Sequence, residues 1–324
     1  MLLMIIAVLA ALNVLVISVG VLLRQTYFQS RFNQVQPYGS LVDVYDGRMH
    51  LHITGSGEHT IVLLPGLGVG LPSADFGPLA RTLAERHRVV VLEYFGVGFS
   101  SGTNRTRGNA EHMAEIREAL RQADLPPPYV LMPHSISGIY SEYYASRHPD
   151  EVLAIISLDG TSSAYWQETP AILNAIIPLA RLQQASGLTA LLGGIITNRS
   201  KLRDYGYAEG EISDMITFAG FSVNDTQLRQ IQSTSDIVRD IKDLPFPEQV
   251  PYLKIIARDT YEKPNRQLTI TPQEYQYQHL AKLGPQVQHQ ILEGNHFIYQ
   301  NNSGRIAETT AAFLAGLAAG RLML

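Results

Sequence analysis

The chain has 324 residues, 45% of them hydrophobic and 17% charged, which is enough apolar material for a large globular core. A formal net charge of −4 at pH 7 leaves no basic footprint and argues against a nucleic-acid partner. With no cysteine in the sequence, disulfides, thiolate metal sites and cysteine nucleophiles are excluded.

The first element is an uncharged run from Leu2 to Leu23, interrupted only by Asn13 and Ser18. A helix of about 20 apolar residues spans a bilayer core, so residues 1–24 are expected to be a transmembrane anchor or signal anchor. A cleaved signal peptide fits less well. No Lys or Arg precedes the run, it exceeds the roughly 7–15 residues of a signal core, and no A-x-A-like site follows it. Arg24 and Arg31 follow the run and no basic residue precedes it, a slight preference for a cytoplasmic body that leaves the side open. The polar stretch 25–40 reads as a tether, and no sheet motif is found before Asp43.

Strand and helix patterns then alternate. Leu51–Thr54 and Ile61–Leu64 read as strands around the turn Gly55-Ser56-Gly57. A helix is expected over Phe76–Arg86, a strand over Val89–Leu92, a helix over Asn109–Ala123 and a strand over Tyr129–Met132. After a further helix stopped by His148-Pro149, Leu153–Leu158 is again strand-like. Short, often β-branched apolar runs between helices are what a parallel sheet covered on both faces requires. From Thr161 to about Phe246 the pattern is helical with no clear strand. It resumes with strands at Tyr252–Ile256 and Gln288–Leu292 and a last helix at about Ser303–Leu317.

Four motifs sit at the ends of these strands. In LLPGLGVG, Leu63 to Gly70, glycines let the backbone approach a ligand and turn its N–H groups inward. EYFGVGFSSG, Glu93 to Gly102, lacks the third glycine of a dinucleotide fingerprint and reads as a structural loop beside a site. PHSISG, Pro133 to Gly138, lies between a strand and a helix, the context of a nucleophile elbow with Ser135 at its tip. The tightness of such a turn demands small residues two before and two after the serine, here Pro133 and Ser137. In an acyl-transfer enzyme the N–H after the nucleophile and one from the glycine loop bind the oxyanion; those are Ile136 and Leu67. In EGNHFIYQ, Glu293 to Gln300, His296 follows the last strand, where a base reaches a serine at the top of the same sheet. His134 adjoins Ser135 but points elsewhere at a sharp elbow and is expected to pack beneath the turn. No H-E-x-x-H or other metal pattern occurs.

With LPGLG, EYFGVGFSSG, PHSISG and GNHF in this order, the chain resembles the α/β-hydrolase family, in its serine hydrolase branch, over roughly Asp43 to Leu317. The resemblance implies an α/β fold with a mostly parallel eight-stranded sheet and helices on both faces. The core would comprise 41–160 and 247–324, and 161–246 would form a helical cap inserted between the sixth and seventh strands. It implies the chain order Ser135, an acid, then His296. The family usually places the acid after the seventh strand, which makes Asp259 the first candidate, although counting from Pro251 puts the usual position on Thr260. Some relatives carry it after the sixth strand, which makes Asp159 the alternative. The chain departs from the commonest elbow, since Pro133 and Ser137 stand where glycines are usual. A serine nucleophile argues against the dehalogenases and epoxide hydrolases of the family, which use aspartate.

The expected activity is a carboxylic ester hydrolase, esterase- or lipase-like, working without a cofactor on a small-molecule acyl substrate. Ala171-Ile172-Leu173 and Leu188–Ile196 in the cap are strongly apolar, which suits an apolar acyl or alkyl group; the same residues would also serve simply to pack the cap. An iminopeptidase-like amide hydrolase is the enzymatic alternative. A membrane-tethered, non-catalytic binding relative is the alternative from another class.

Overall fold

The computed structural model describes residues 1–167, 172–265 and 268–319. Ala171 of the apolar cap trio and the last residues of the expected core, 320–324, lie outside them.

Eight strands form one sheet: β1 (Ser40–Val44), β2 (Gly47–Thr54), β3 (Thr60–Leu64), β4 (Arg88–Glu93), β5 (Tyr129–Pro133), β6 (Val152–Leu158), β7 (Tyr252–Ala257) and β8 (Gln288–Leu292). Their spatial order is β1-β2-β4-β3-β5-β6-β7-β8. β2 runs antiparallel to β1 and β4, and every other neighbouring pair is parallel. The central strands are apolar at consecutive positions because both faces are covered. Val62 and Leu64 of β3 join one core with Val90, Leu92 and Leu131, beneath helices Asn109–Gln122 and Ser137–Arg147. Ile61 and Leu63 point the other way, into a second core with Leu79, Leu83, Phe313 and Leu314 of helices Gly77–Ala84 and Ser303–Ala318.

Two expectations for the N-terminal segment change. β1 begins at Ser40, ahead of Asp43; it is an edge strand in which only Val44 is buried, so it carries no continuous apolar run to read. The expected tether is not free chain. Helical structure continues from Leu2 through Gln34. The Phe32 ring lies 4.7 Å from that of Phe218 and 4.6 Å from that of Phe221. Helix Leu2–Leu23 is long and apolar enough to cross a membrane by length and composition.

Between β6 and β7 the described residues form helices Ile172–Ala185, Leu188–Ile196, Arg199–Asp204, Glu209–Ala219, Asp225–Gln232 and Thr234–Lys242. Because the flanking strands are parallel, the chain leaves the sheet at the C-terminal end of β6, beside the end of β5, and the insertion crosses back to enter β7 at its N-terminal end.

Candidate active site

Ser135 follows β5 with one residue between. His134 still bridges to Leu158 of the neighbouring strand, and the next helix begins at Ser137. The reversal between them holds Ser135 at φ 56°, a left-handed conformation that a non-glycine residue adopts only when its surroundings enforce it. The close approach of the neighbouring loop explains Gly66. A Cβ there would lie 2.8 Å from the Ser135 Cβ and 2.7 Å from His134 Nδ1. The N–H groups of Leu67 and Ile136 have no hydrogen-bond acceptor among the described residues.

Ser137 does more than satisfy the demand for a small residue. Its hydroxyl donates to the carbonyl of Pro65, at the root of the loop that carries Leu67. A hydroxyl has one proton, so the Tyr94 hydroxyl, 2.9 Å away, donates in turn to Ser137 Oγ. Pro65, Ser137 and Tyr94 are all buried. This chain of hydroxyls fixes the glycine loop to the elbow. The sequence marked Ser137 only by the missing glycine.

His296 brings its ring to the same place from the loop after β8. Its Nε2 lies 2.9 Å from Ser135 Oγ, and its Nδ1 lies 2.7 Å from Asp159 Oδ2. Asp159 is the residue directly after β6 and sits at φ 47°. It is held from three sides. Its N–H donates to Ile255 O at 2.7 Å, the Ala257 N–H donates to Oδ1 at 2.9 Å, and the Thr260 hydroxyl donates to Oδ2 at 2.7 Å. The carboxylate is thus anchored across the ends of β6 and β7, almost out of contact with solvent, while His296 is half open to it.

The first candidate for the acid is not at this junction. Asp259 lies in the short helix Arg258–Glu262, where its carboxylate pairs with Lys263 at 2.7 Å. Its backbone N–H donates to Gly294 O. The main chain turns into that helix directly after β7, which aims Thr260 rather than Asp259 at the histidine–carboxylate pair. The structure therefore brings together Ser135, His296 and Asp159 and leaves Asp259 at the rim.

His134 packs beneath the turn, as its position suggested, and also supports the base. Its Nε2 lies 2.9 Å from the backbone carbonyl of His296, so Nε2 carries the proton and donates it. Burial, with the neighbouring His296 ring, pushes its pKa down to about 3, which keeps it neutral. Glu93 has an equally structural part in its glycine loop, accepting from the Ser73 hydroxyl at 2.6 Å and from the Phe99 N–H at 2.7 Å.

Behind Asp159 lies a buried polar cluster of Glu142, Lys254 and His279. His279 bonds Glu142 Oε1 through Nε2 and meets the Lys254 ammonium at Nδ1. Burial pushes the Lys254 ammonium down to about 8 against the pull of the Glu142 and Asp159 carboxylates, and pushes His279 down to about 4.

A cleft of about 620 Å³ opens at Ser135 and His296. Its lining mixes the polar residues Thr161, Thr260, Lys263, Asn265 and Gln276 with the apolar Pro264, Leu268 and Tyr275. No residue of Leu188–Ile196 lines it among the described residues, so that apolar stretch does not supply the acyl pocket expected of it.

Comparison with known proteins bears on the fold that carries this site. A family model described as alpha/beta hydrolase fold matches residues 59–259. Over 315 residues the chain is 27% identical to the uncharacterized protein YbdG of Bacillus subtilis (strain 168), covering 94% of each. Among solved structures it is similar to the enol-lactonase from Burkholderia xenovorans LB400, with TM-score 0.62, 17% identity, and coverage of 85% of this chain and 100% of that one. The esterase EaEST from Exiguobacterium antarcticum gives TM-score 0.61 at 16% identity over 86% and 99% of the two chains. The carboxylesterase CesB from Bacillus subtilis gives 0.59 at 17% over 92% and 98%.

Proposed function

Because the chain belongs to the α/β-hydrolase family, we propose that it is a serine hydrolase that cleaves a carboxylic ester through Ser135, His296 and Asp159. The observation that carries this reading is the unbroken hydrogen-bonded line from Ser135 Oγ through the two nitrogens of His296 to Asp159 Oδ2.

The chemistry follows from that line. Asp159 holds Nδ1 protonated, which leaves Nε2 free to accept the Ser135 proton as Oγ attacks the acyl carbon. The carbonyl oxygen gains charge as the tetrahedral intermediate forms, and the unoccupied N–H groups of Leu67 and Ile136 are the donors that receive it. The imidazolium is stabilised by the Asp159 carboxylate and gives its proton to the departing alkoxide. Water then attacks the acyl carbon as Nε2 takes its proton, and the imidazolium returns that proton to Ser135 Oγ as the acid departs. No cofactor takes part in these steps.

An ester fits better than a peptide with a free amino terminus. Seating an ammonium group takes an available carboxylate, and the two carboxylates on the cleft wall are committed. Asp159 is bound to His296 and Thr260, and Asp259 is paired with Lys263. The mixed lining suits an acyl or alcohol portion that combines apolar and hydrogen-bonding groups. Helix Leu2–Leu23 would tether the enzyme to a bilayer. A fluorophosphonate probe tests the reading. Labelling of the wild-type chain that vanishes in Ser135→Ala, together with turnover of short-chain esters, supports it. A folded wild type that neither labels nor turns over any ester overturns it in favour of a ligand-binding role.

A further inference from the structure

The large apolar side chains of helix Leu188–Ile196 face outward. Leu188, Leu191, Leu192, Ile195 and Ile196 are exposed by 42%, 37%, 40%, 78% and 74%. Their spacing of i, i+3, i+4, i+7 and i+8 is the apolar stripe that a helix normally turns to the core. Here the small residues are turned inward instead. Ala190 is buried, a Cβ on Gly193 would meet the Ile216 side chain, and a Cβ on Gly220 would lie 2.8 Å from the Ala190 Cβ. The sequence has thus fitted this helix closely onto helix Glu209–Ala219 with its smallest side chains and kept its bulk for the outside. The preceding helix extends the same surface with Leu179 and Leu182, exposed by 61% and 58%. An outward-facing patch of seven large aliphatic residues marks an interaction site.

The neighbour of this patch says what covers it. The Ser186-Gly187 turn joining the two helices packs directly on the N-terminal helix. A Cβ on Gly20 would lie 2.1 Å from the Ser186 carbonyl oxygen, and one on Gly187 would lie 2.4 Å from the Gly20 carbonyl oxygen. Gly187 also adopts φ 73° there, so both glycines are required. Gly20 is in the last turn of the apolar helix. The patch therefore continues the exposed surface of that helix at the end where its uncharged run gives way to Arg24. The Arg24 guanidinium itself lies over the Phe221 ring of the cap, 4.8 Å from its centre. Lys201 follows the patch, in helix Arg199–Asp204.

From this continuity we infer that the face formed by Leu179, Leu182 and helix Leu188–Ile196 docks into the lipid bilayer beside the anchor, as a second, interfacial attachment. The inference rests on the proposed anchoring of Leu2–Leu23. An interfacial helix buries its apolar face about 5–10 Å into the headgroup and acyl boundary, with basic residues at the headgroup level. Arg24, where the uncharged run ends, is the basic residue at that level here. The cap, and with it the mouth of the cleft, is then held in a fixed orientation at the membrane rather than swinging on a single helix.

The full chain contains no cysteine, so single-cysteine variants report cleanly. Ile195→Cys, Val14→Cys in the anchor and Gln122→Cys on helix Asn109–Gln122 each replace an exposed side chain. Gln122 lies close before the N-terminal end of β5, at the opposite edge of the sheet from the cap. Each variant carries an environment-sensitive fluorophore in vesicles of phosphatidylcholine and phosphatidylglycerol, with doxyl-labelled lipids as quenchers. The expected result is that the Ile195 probe loses most of its emission to doxyl groups high on the acyl chain. The Val14 probe loses most of its emission to groups near the bilayer centre, and the Gln122 probe is unchanged. Quenching at Val14 with an Ile195 probe that behaves like Gln122 overturns the interfacial attachment and leaves the anchor standing. No quenching at Val14 or Ile195 overturns both. Self-quenching of Ile195 probes in the absence of doxyl lipid shows that a second copy of the chain covers the face, which also overturns the proposal.

Discussion

The hydroxyl of Thr260 donates to Oδ2 of Asp159 at 2.7 Å, on the same carboxylate oxygen that receives the His296 Nδ1 proton. Thr260 is the position on which the expected acid falls when counted from Pro251, and under the proposed mechanism the acid comes from the end of the neighbouring strand. On that reading the position after β7 serves the carboxylate as a hydrogen-bond donor.

This arrangement separates three substitutions. Asp159→Asn should lower kcat by about 10⁴-fold while the chain stays folded, because an amide favours the wrong imidazole tautomer. Asp259→Asn, which breaks only an exposed pair with Lys263, should leave kcat within a few fold. Thr260→Val removes a hydrogen bond to a charged group, worth about 1.5–3 kcal/mol, and should cost roughly tenfold or more in turnover. Steady-state kinetics on one working ester decides the order. Full activity in Asp159→Asn would remove Asp159 from the mechanism.

Ser135→Ala and His296→Ala should each abolish nearly all turnover, and the double variant should be no slower than the worse single one, since the two act as a unit. Additive losses, measured as ratios of kcat/KM, would mean that the 2.9 Å contact between them has no role in the rate-determining step.

Ser137→Ala and Tyr94→Phe probe the tie between elbow and glycine loop. The first leaves the buried Pro65 carbonyl without its donor, at a cost of about 1–3 kcal/mol. Both should lower kcat more than they change KM, because the loop carries the Leu67 N–H that meets charge only in the transition state. A variant with a lower melting temperature and unchanged kcat would reduce the hydroxyl chain to a purely structural role.

Stability should fall with acid in a window set by buried histidines. His134 is pushed down to about 3, His279 to about 4, and His112 is also lowered, each chiefly by burial. A histidine in the unfolded chain titrates near 6.5, so below that pH the unfolded state takes up protons that the folded state refuses. Stability is therefore full above about 6.5 and declines as pH falls toward about 3. Urea midpoints at pH 7 and pH 4.5 measure this, and an unchanged midpoint contradicts it.

Removing Met1–Arg24 should not by itself free the chain from vesicles if the cap holds a second attachment. Co-sedimentation should drop only in part, and should be lost when Ile195→Asp and Ile196→Asp are added. Circular dichroism checks that the fold survives the deletion.

The sheet was readable because strands buried on both faces show as unbroken apolar runs, as in Ile61–Leu64 and Val89–Leu92. The edge strand β1 escaped, since an exposed edge needs no such run. Ser135 and His296 were readable from short motifs at strand ends. Two acids, Asp159 and Asp259, stand at the ends of adjacent strands, and spacing along the chain does not reveal which carboxylate the main chain turns toward the histidine. The hydroxyl chain through Ser137 and the outward stripe at Leu188–Ile196 depend on which way a side chain points, and the sequence alone carried no sign of either.

Every hydrogen bond to Asp159 and His296 described above, and the loop facing Ser135, comes from the sheet, its strand ends and their loops. None comes from the helices between Ile172 and Lys242. Under the proposed mechanism, the groups that cleave the bond are thus separate from the cap helices. The cap could be exchanged for another of similar footprint, with Thr161 kept to hold the Ser135 carbonyl, and a chimera built this way should keep its reactivity toward a small phosphonate.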